Sequence, residues 1–270
     1  MNRGTFRRKT VFMLAMLAMT AVILFSAPSA IHAQRGRGAQ PAATPKASAP
    51  ADLTGYWVSV ISEDWKFRMV TPPKGQYGNV PLSPEGRRIA DAWDPAKDEA
   101  AGDQCKAYGA AGIMRLPGRL HVTWENDNLL RVDTDAGTQS RQFYFGTTQP
   151  PAGQGWQGSS VAQWQGTARG GGAPSVASIG TSGQSPGGSL KVVTTRMRPG
   201  YLRKNGVPYG ANATMTEYFE SHAAPNGDRW LIITAIIEDP QNLSSPYVTS
   251  TNFKKLADAS GWAPAPCSAR

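Results

Sequence analysis

The chain has 270 residues and a formal net charge of +9, from 28 Lys and Arg against 19 Asp and Glu. Seven of the basic residues precede Ala51, which leaves 21 against 19 over the rest, a net of +2 with no basic cluster at helical spacing. A nucleic-acid binder keeps a basic patch in its folded part, so that class is set aside. Two cysteines are too few for a Cys-rich zinc site.

The first element is a targeting segment. "MNRGTFRRK" is a basic n-region, "TVFMLAMLAMTAVILF" an apolar h-region and "SAPSAIHA" a small-residue stretch suited to cleavage after Ala33. The apolar run from Val11 to Phe25 is 15 residues, short of the ~20 that span a bilayer. Residues 1–33 are therefore read as a signal peptide. The expected product is periplasmic or secreted, with no stable membrane span after cleavage. Residues 34–50, "QRGRGAQPAATPKASAP", lack large apolar side chains and read as a disordered spacer. Residues 51–270 suffice for a single β domain with its own core.

Within that domain, "TGYWVSVIS" (54–62) and "KFRMVT" (66–71) are rich in aromatic and β-branched residues and read as strands. "SPEGRRIADAW" (83–93) is the one clear helix, with Ser83 as N-cap, Pro84 at the first helical position and Glu85 in the first turn. After a loop carrying Cys105 come "GRLHVTWE", "NLLRVDTD", "QSRQFYF", "SVAQWQ", "SLKVVTTRM", "ATMTEYFES", "RWLIITAIIE" and "YVTSTNFKK". About ten short strands joined by turns predict an all-β fold, first an antiparallel up-and-down barrel, which leaves no sheet edges, and as the alternative a β-sandwich. The Gly/Ser-rich stretch 166–189 lacks the Lys-Ser/Thr ending and the following helix of a phosphate loop. It reads as a flexible surface insertion, with a lid over the barrel mouth as the sharper alternative. In an exported chain, Cys105 and Cys267 are expected to form a disulfide.

Together, "DLTGYW", "PLSPEGRRIADAW", "DQCKAYGAAGIMRLPGRL", "GGSLKVVTT", "EDPQNLSSPYVTSTNFKK" and a cysteine near the end resemble an exported, β-rich, lipocalin-like bacterial family of uncertain function. The likeness spans roughly Asp52 to Cys267. It implies an exported barrel and carries over no catalytic residue.

Strand parity picks out the candidate site residues. In "GRLHVTWE", Leu120, Val122 and Trp124 share one face and His121 the other. Matching apolar faces with the next strand through the turn Asn126-Asp127-Asn128 sets Trp124 across from Leu130, Val122 from Val132 and His121 from Asp133. His121 with Asp133 is the orienting half of a nucleophilic triad, but it falls on the polar face. A surface pair is the preferred reading. Glu217 interrupts the apolar parity of Ala213, Met215 and Phe219, and Arg141 does the same beside Phe143 and Phe145. A carboxylate on an apolar face must be paired or neutral, so an Arg141–Glu217 pair inside the barrel is expected. The Asn226-Gly227 hairpin turn sets Glu217 opposite Ile236, on a strand apolar on both faces and so read as buried on both sides.

Glu217 and Arg141, with Phe143 and Tyr218 beside them, are candidate ligand contacts. Glu217, His121 and Asp133 are candidate catalytic groups. The basic stretch Arg196, Arg198, Tyr201, Arg203 and Lys204 reads as a solvated rim, with Arg196 as a candidate contact for an anionic ligand. His121 and His222 lack spaced partners, so no metal and no cofactor is expected. The leading function is an exported, lipocalin-like binder of a small, largely apolar or weakly anionic molecule in the barrel interior. The alternatives are a periplasmic isomerase or hydrolase using Glu217, and a structural envelope-associated module.

Overall fold

Alternating apolar residues drive the chain into strands whose inward faces share a core. The computed structural model describes residues 43–146, 150–151, 155–166 and 188–270. In chain order the strands are β1 (Gly55–Val60), β2 (Arg119–Asn126), β3 (Leu129–Thr134), β4 (Gln139–Phe145), β5 (Ser159–Gln165), β6 (Ser189–Thr195), β7 (Gly200–Arg203), β8 (Val207–Tyr209), β9 (Thr214–Ala223), β10 (Arg229–Glu238) and β11 (Tyr247–Lys255). Nine of them close a barrel in the order β1-β11-β10-β9-β6-β5-β4-β3-β2, and β7 with β8 forms a separate hairpin. The fold is the expected all-β barrel rather than the sandwich.

It is not wholly antiparallel. Strand direction can alternate all the way round only if the number of strands is even, and nine therefore requires one parallel pair. That pair is β4 with β5, in the register Phe143↔Ser160 and Phe145↔Ala162. Every other neighbour in the ring is antiparallel. A parallel partner cannot be reached by a tight hairpin, so the chain must return before β5 begins, and its described residues Pro150, Pro151, Gly155, Gln157 and Gly158 lie beside the outward residues of β3 and β4.

Four short α-helices and a 3₁₀ turn lie between β1 and β2, where one helix was expected: α1 (Trp65–Arg68), α2 (Pro84–Asp91), α3 (Pro95–Ala100), the 3₁₀ turn Lys106–Tyr108 and α4 (Ala110–Ile113). The helix α2 is capped as its sequence predicts, Ser83 accepting from the Gly86 amide at 3.0 Å. The stretch expected as a strand over 66–71 is instead α1 and the coil after it. The apolar and β-branched residues there do not alternate into a wall; Trp65, Met69 and Val70 are exposed. The hairpin β7–β8 replaces what reads as a turn-rich loop.

Two cores fill the structure. Trp57, Leu120, Leu130, Phe143, Leu190, Phe219, Leu231 and Phe253 pack inside the barrel wall. Tyr77, Ala110, Met197, Leu202, Tyr209, Met215, Ile237 and Tyr247 form the second, where the helical insertion and the β7–β8 hairpin meet the ends of β9 and β10. The strand β10 is buried on one face only: Leu231, Ile233, Ala235 and Ile237 point inward, while Trp230, Ile232, Thr234 and Ile236 are half-buried outside.

The disulfide Cys105–Cys267 is formed, with Cα atoms 5.1 Å apart across a sequence separation of 162. It ties the C-terminal tail to the insertion, and the Ala265 amide donates a hydrogen bond to the Asp135 carbonyl at 2.9 Å. Residues 43–50 of the expected spacer form a turn held to the barrel, with Trp164 Nε1 donating to the Pro45 carbonyl at 2.8 Å. The expected signal peptide with its expected cleavage after Ala33, residues 34–42 and residues 167–187 of the Gly-rich stretch lie outside the described residues. Among the described residues no helix is long and apolar enough to cross a membrane.

Candidate functional site

The Arg141–Glu217 pair expected from parity is present at the junction of the two cores. On β9 the neighbours of Glu217 belong to different clusters, Phe219 to the barrel core and Met215 to the other. Both charged residues are fully enclosed, Glu217 at 0% and Arg141 at 1% exposure. The contact is bidentate, Nη1 to Oε1 at 2.9 Å and Nη2 to Oε2 at 2.5 Å. Arg141 Nη2 also donates to Thr194 Oγ1 at 3.3 Å, and Thr194 Oγ1 meets Ser160 Oγ at 2.8 Å. The guanidinium lies over the Phe143 ring at 4.9 Å, and Phe143 stacks edge-on against Phe219. A thin polar layer thus crosses the barrel between two apolar ones.

The hydroxyl of Tyr209 adds a third buried group. It makes no hydrogen bond among the described residues. Burial pushes its pKa well above the ordinary phenol value, against a weaker opposing pull from Arg141.

This layer differs from expectation in one register. Glu217 faces Ala235, not Ile236, because the connection spans Pro225, Asn226 and Gly227 and the Ala224 amide donates to the Asp228 carbonyl at 2.7 Å. Gly227 has φ +86, the left-handed conformation that closes three-residue hairpin loops. The even register puts Glu217 opposite another inward residue, as cross-strand geometry demands.

A general acid or base must reach a substrate atom within hydrogen-bond distance. Glu217 has both oxygens on one guanidinium and no path to solvent, so it is a charge-neutral structural pair in this geometry. Tyr218 points to the opposite side of β9, half-buried on the outer wall across from Lys191 and Thr234. It shares no ligand with Glu217. Arg196 is exposed, with left-handed backbone at φ 54, and is not part of the interior.

His121 and Asp133 are cross-strand neighbours in the expected register, although the turn is the two residues Asp127-Asn128, with a bulge between Trp124 and Asn126, rather than the expected three-residue turn. They do not bond each other. The Asp133 carboxylate takes Arg131 Nε at 2.8 Å, two residues along its own strand. The His121 ring instead stacks on Tyr56 at 4.0 Å with an interplanar angle of 2°, and Trp262 from the tail meets both edge-on. No cluster of three metal-ligating side chains occurs among the described residues.

A concavity lies outside the barrel. The outward residues of β3 and β4, Arg131, Ser140, Gln142 and Tyr144, form one wall of a groove of about 470 Å³, and the returning chain at Pro150, Pro151, Gly155, Gln157 and Gly158 forms the other. Donors and acceptors run along the first wall: Tyr144 donates to Gln142 Oε1 at 2.8 Å, and Gln142 Nε2 to Glu125 at 3.1 Å. Gln157 Nε2 is engaged by the Tyr108 carbonyl and Gln139, while its Oε1 makes no hydrogen bond among the described residues. Parity places these outward residues, but the groove depends on the parallel β4–β5 crossover, which no local pattern announces.

The fold and site define a class: a closed, mixed nine-stranded barrel with a filled, ion-paired interior and a polar groove on its outer wall. No family model matches the chain, and comparison with curated proteins and with solved structures gives no significant match.

Proposed function

We propose that the protein is an exported, non-catalytic binder of a small polar, hydroxyl-bearing or weakly anionic molecule, held in the groove between β3–β4 and the returning chain. The observation that carries this is the groove itself, large enough for a small ligand, with Tyr144, Gln142, Ser140, Arg131 and Gln157 alternating donors, acceptors and one aromatic face. The filled interior speaks against an apolar ligand inside the barrel and against Glu217 chemistry, because both need space beside an enclosed ion pair. Export is supported by the sequence of residues 1–33 and by the Cys105–Cys267 bridge, which belongs to an oxidising compartment.

Small molecules co-purifying with the native protein, and a panel of sugars and small organic acids, are to be screened by mass spectrometry and calorimetry. The expected result is a ligand whose affinity falls at least tenfold in Tyr144→Ala and is unchanged in Tyr218→Ala, on the opposite part of the wall. A ligand indifferent to Tyr144→Ala, or none in either screen, rejects the reading.

A further inference from the structure

Six large hydrophobic side chains are exposed among the described residues, and three of them, Trp65 at 67%, Met69 at 57% and Val70 at 65%, fall within one six-residue stretch. The other three are valines on strand exteriors, Val161 and Val193 directly opposite each other on β5 and β6 and Val248 alone on β11, a far smaller apolar surface than the stretch 65–70 presents. Trp65 and Met69 are one helical turn apart on α1 and so share a face. The exposed Lys66 and Lys74 flank them.

Beneath this segment lies an unusual charge cluster. Arg68, Arg115 and Arg203 are buried. Arg68 is paired with Glu63, while Asp64 serves both Arg115 at 2.7 Å and Arg203 at 3.6 Å. Three guanidiniums therefore share two carboxylates. Arg203 is further held by the Tyr77 carbonyl, Asn79 and Tyr247. Arg68 Nη2 makes no hydrogen bond among the described residues, although the residue is 6% exposed. A small cleft of about 20 Å³ runs between Phe67, Arg68, Val70, Arg115, Leu202, Arg203 and Lys204. Lys204 itself donates to the Arg270 backbone oxygen.

We infer that the segment 65–70 is a docking site for an anionic lipid surface, with Trp65, Met69 and Val70 entering the headgroup boundary, Lys66 and Lys74 meeting the headgroups, and the net positive charge of the buried Arg68–Arg115–Arg203 cluster adding attraction from beneath. Exposed tryptophan beside lysine is the composition of a membrane interface. The net positive charge under it selects for anionic headgroups. A protein partner would also cover apolar side chains, but the exposed Lys66 and Lys74 above and three guanidiniums over two carboxylates below give the whole patch one sign of charge, which an anionic surface matches without shaped contacts. Small-molecule binding in the outer-wall groove involves none of these residues, so the two readings stand or fall separately.

The test is flotation of the chain from Gln34 onward with vesicles of phosphatidylglycerol or of phosphatidylcholine. The expected result is binding to phosphatidylglycerol vesicles at least tenfold tighter than to phosphatidylcholine and weakened by salt. Trp65→Ser combined with Met69→Ser, both exposed positions, should reduce it at least tenfold while the circular dichroism spectrum stays native. Lys66→Glu with Lys74→Glu should do the same. No vesicle binding, equal binding to both lipids, or indifference to the Trp65/Met69 variant overturns the inference. So does saturable binding of inorganic phosphate or of a soluble protein by a chain that does not float.

Discussion

At the scale of single residues, the decisive feature is a charge pair in an apolar wall. Arg141 and Glu217 neutralise each other, so removing one leaves a buried charge, which costs about 3–5 kcal/mol. Arg141→Met and Glu217→Leu singly should each destabilise by that order in urea titrations. The double variant, which leaves no charge behind, should recover much of the loss. Independent, additive effects would show that the 2.5 Å contact carries no coupling. His121 calls for a smaller number. Its stack on Tyr56 and its edge contact with Trp262 replace the Asp133 pair, so His121→Ala should cost about 0.5–1.5 kcal/mol, the worth of an aromatic contact. The loss should be matched by Tyr56→Ala in the same background and left unchanged by Asp133→Asn. Dependence on Asp133 would restore the ion-pair account.

At the scale of elements, the pattern of alternating side chains was enough to read nearly every barrel strand. The ladders from Leu120↔Thr134 to Trp124↔Leu130 and the inward turn of Glu217 and Arg141 follow from parity alone. Three things did not follow, each for a reason. The stretch 66–71 has strand composition but no wall to join, since its apolar groups face solvent and its Arg68 faces inward. The hairpin β7–β8 is too short and too charged to show a period. The β9–β10 register turned on whether the loop holds two residues or three, which Asn226-Gly227 leaves open. Tyr218 sits on the face that parity had already assigned away from Glu217, and the groove is a product of topology. The long-range tie of Cys105 to Cys267, by contrast, follows from thiol count and the export expected from residues 1–33. Closing so long a loop stabilises by about 5 kcal/mol in the chain-entropy model. Replacing both cysteines with serine should lower the urea midpoint accordingly. Hydrogen exchange should then open first in residues 257–270, where Trp262 and Ala265 depend on that tether. Unchanged protection of the tail would mean the Ala265–Asp135 bond holds it unaided.

At the scale of the whole molecule, three tyrosines in separate places are kept neutral by the fold. Burial, then a hydrogen bond to Asp91, lifts Tyr77 from 10.0 to about 12. Burial likewise raises Tyr201, aided by Asp98, and Tyr209. A phenol whose folded pKa exceeds its unfolded value stabilises the fold fully below the unfolded value and loses that contribution as pH rises through the folded one. Stability should hold to pH about 10 and fall through about 12, more gently in Tyr77→Phe; a flat profile across that window would contradict the burial. The seam between β1 and β11 has a different kind of consequence. It joins the first strand of the domain to the last, so the barrel is held open until the final strand arrives, and its closure is the most non-local, slowest-favoured event available to this topology. A chain halted before Tyr247 would present β1 and β10 as two bare edges, each a template for pairing with another molecule. Length-dependent exposure to aggregation during synthesis is thus built into the ring, and it ends only when Tyr247–Lys255 slots between its two neighbours.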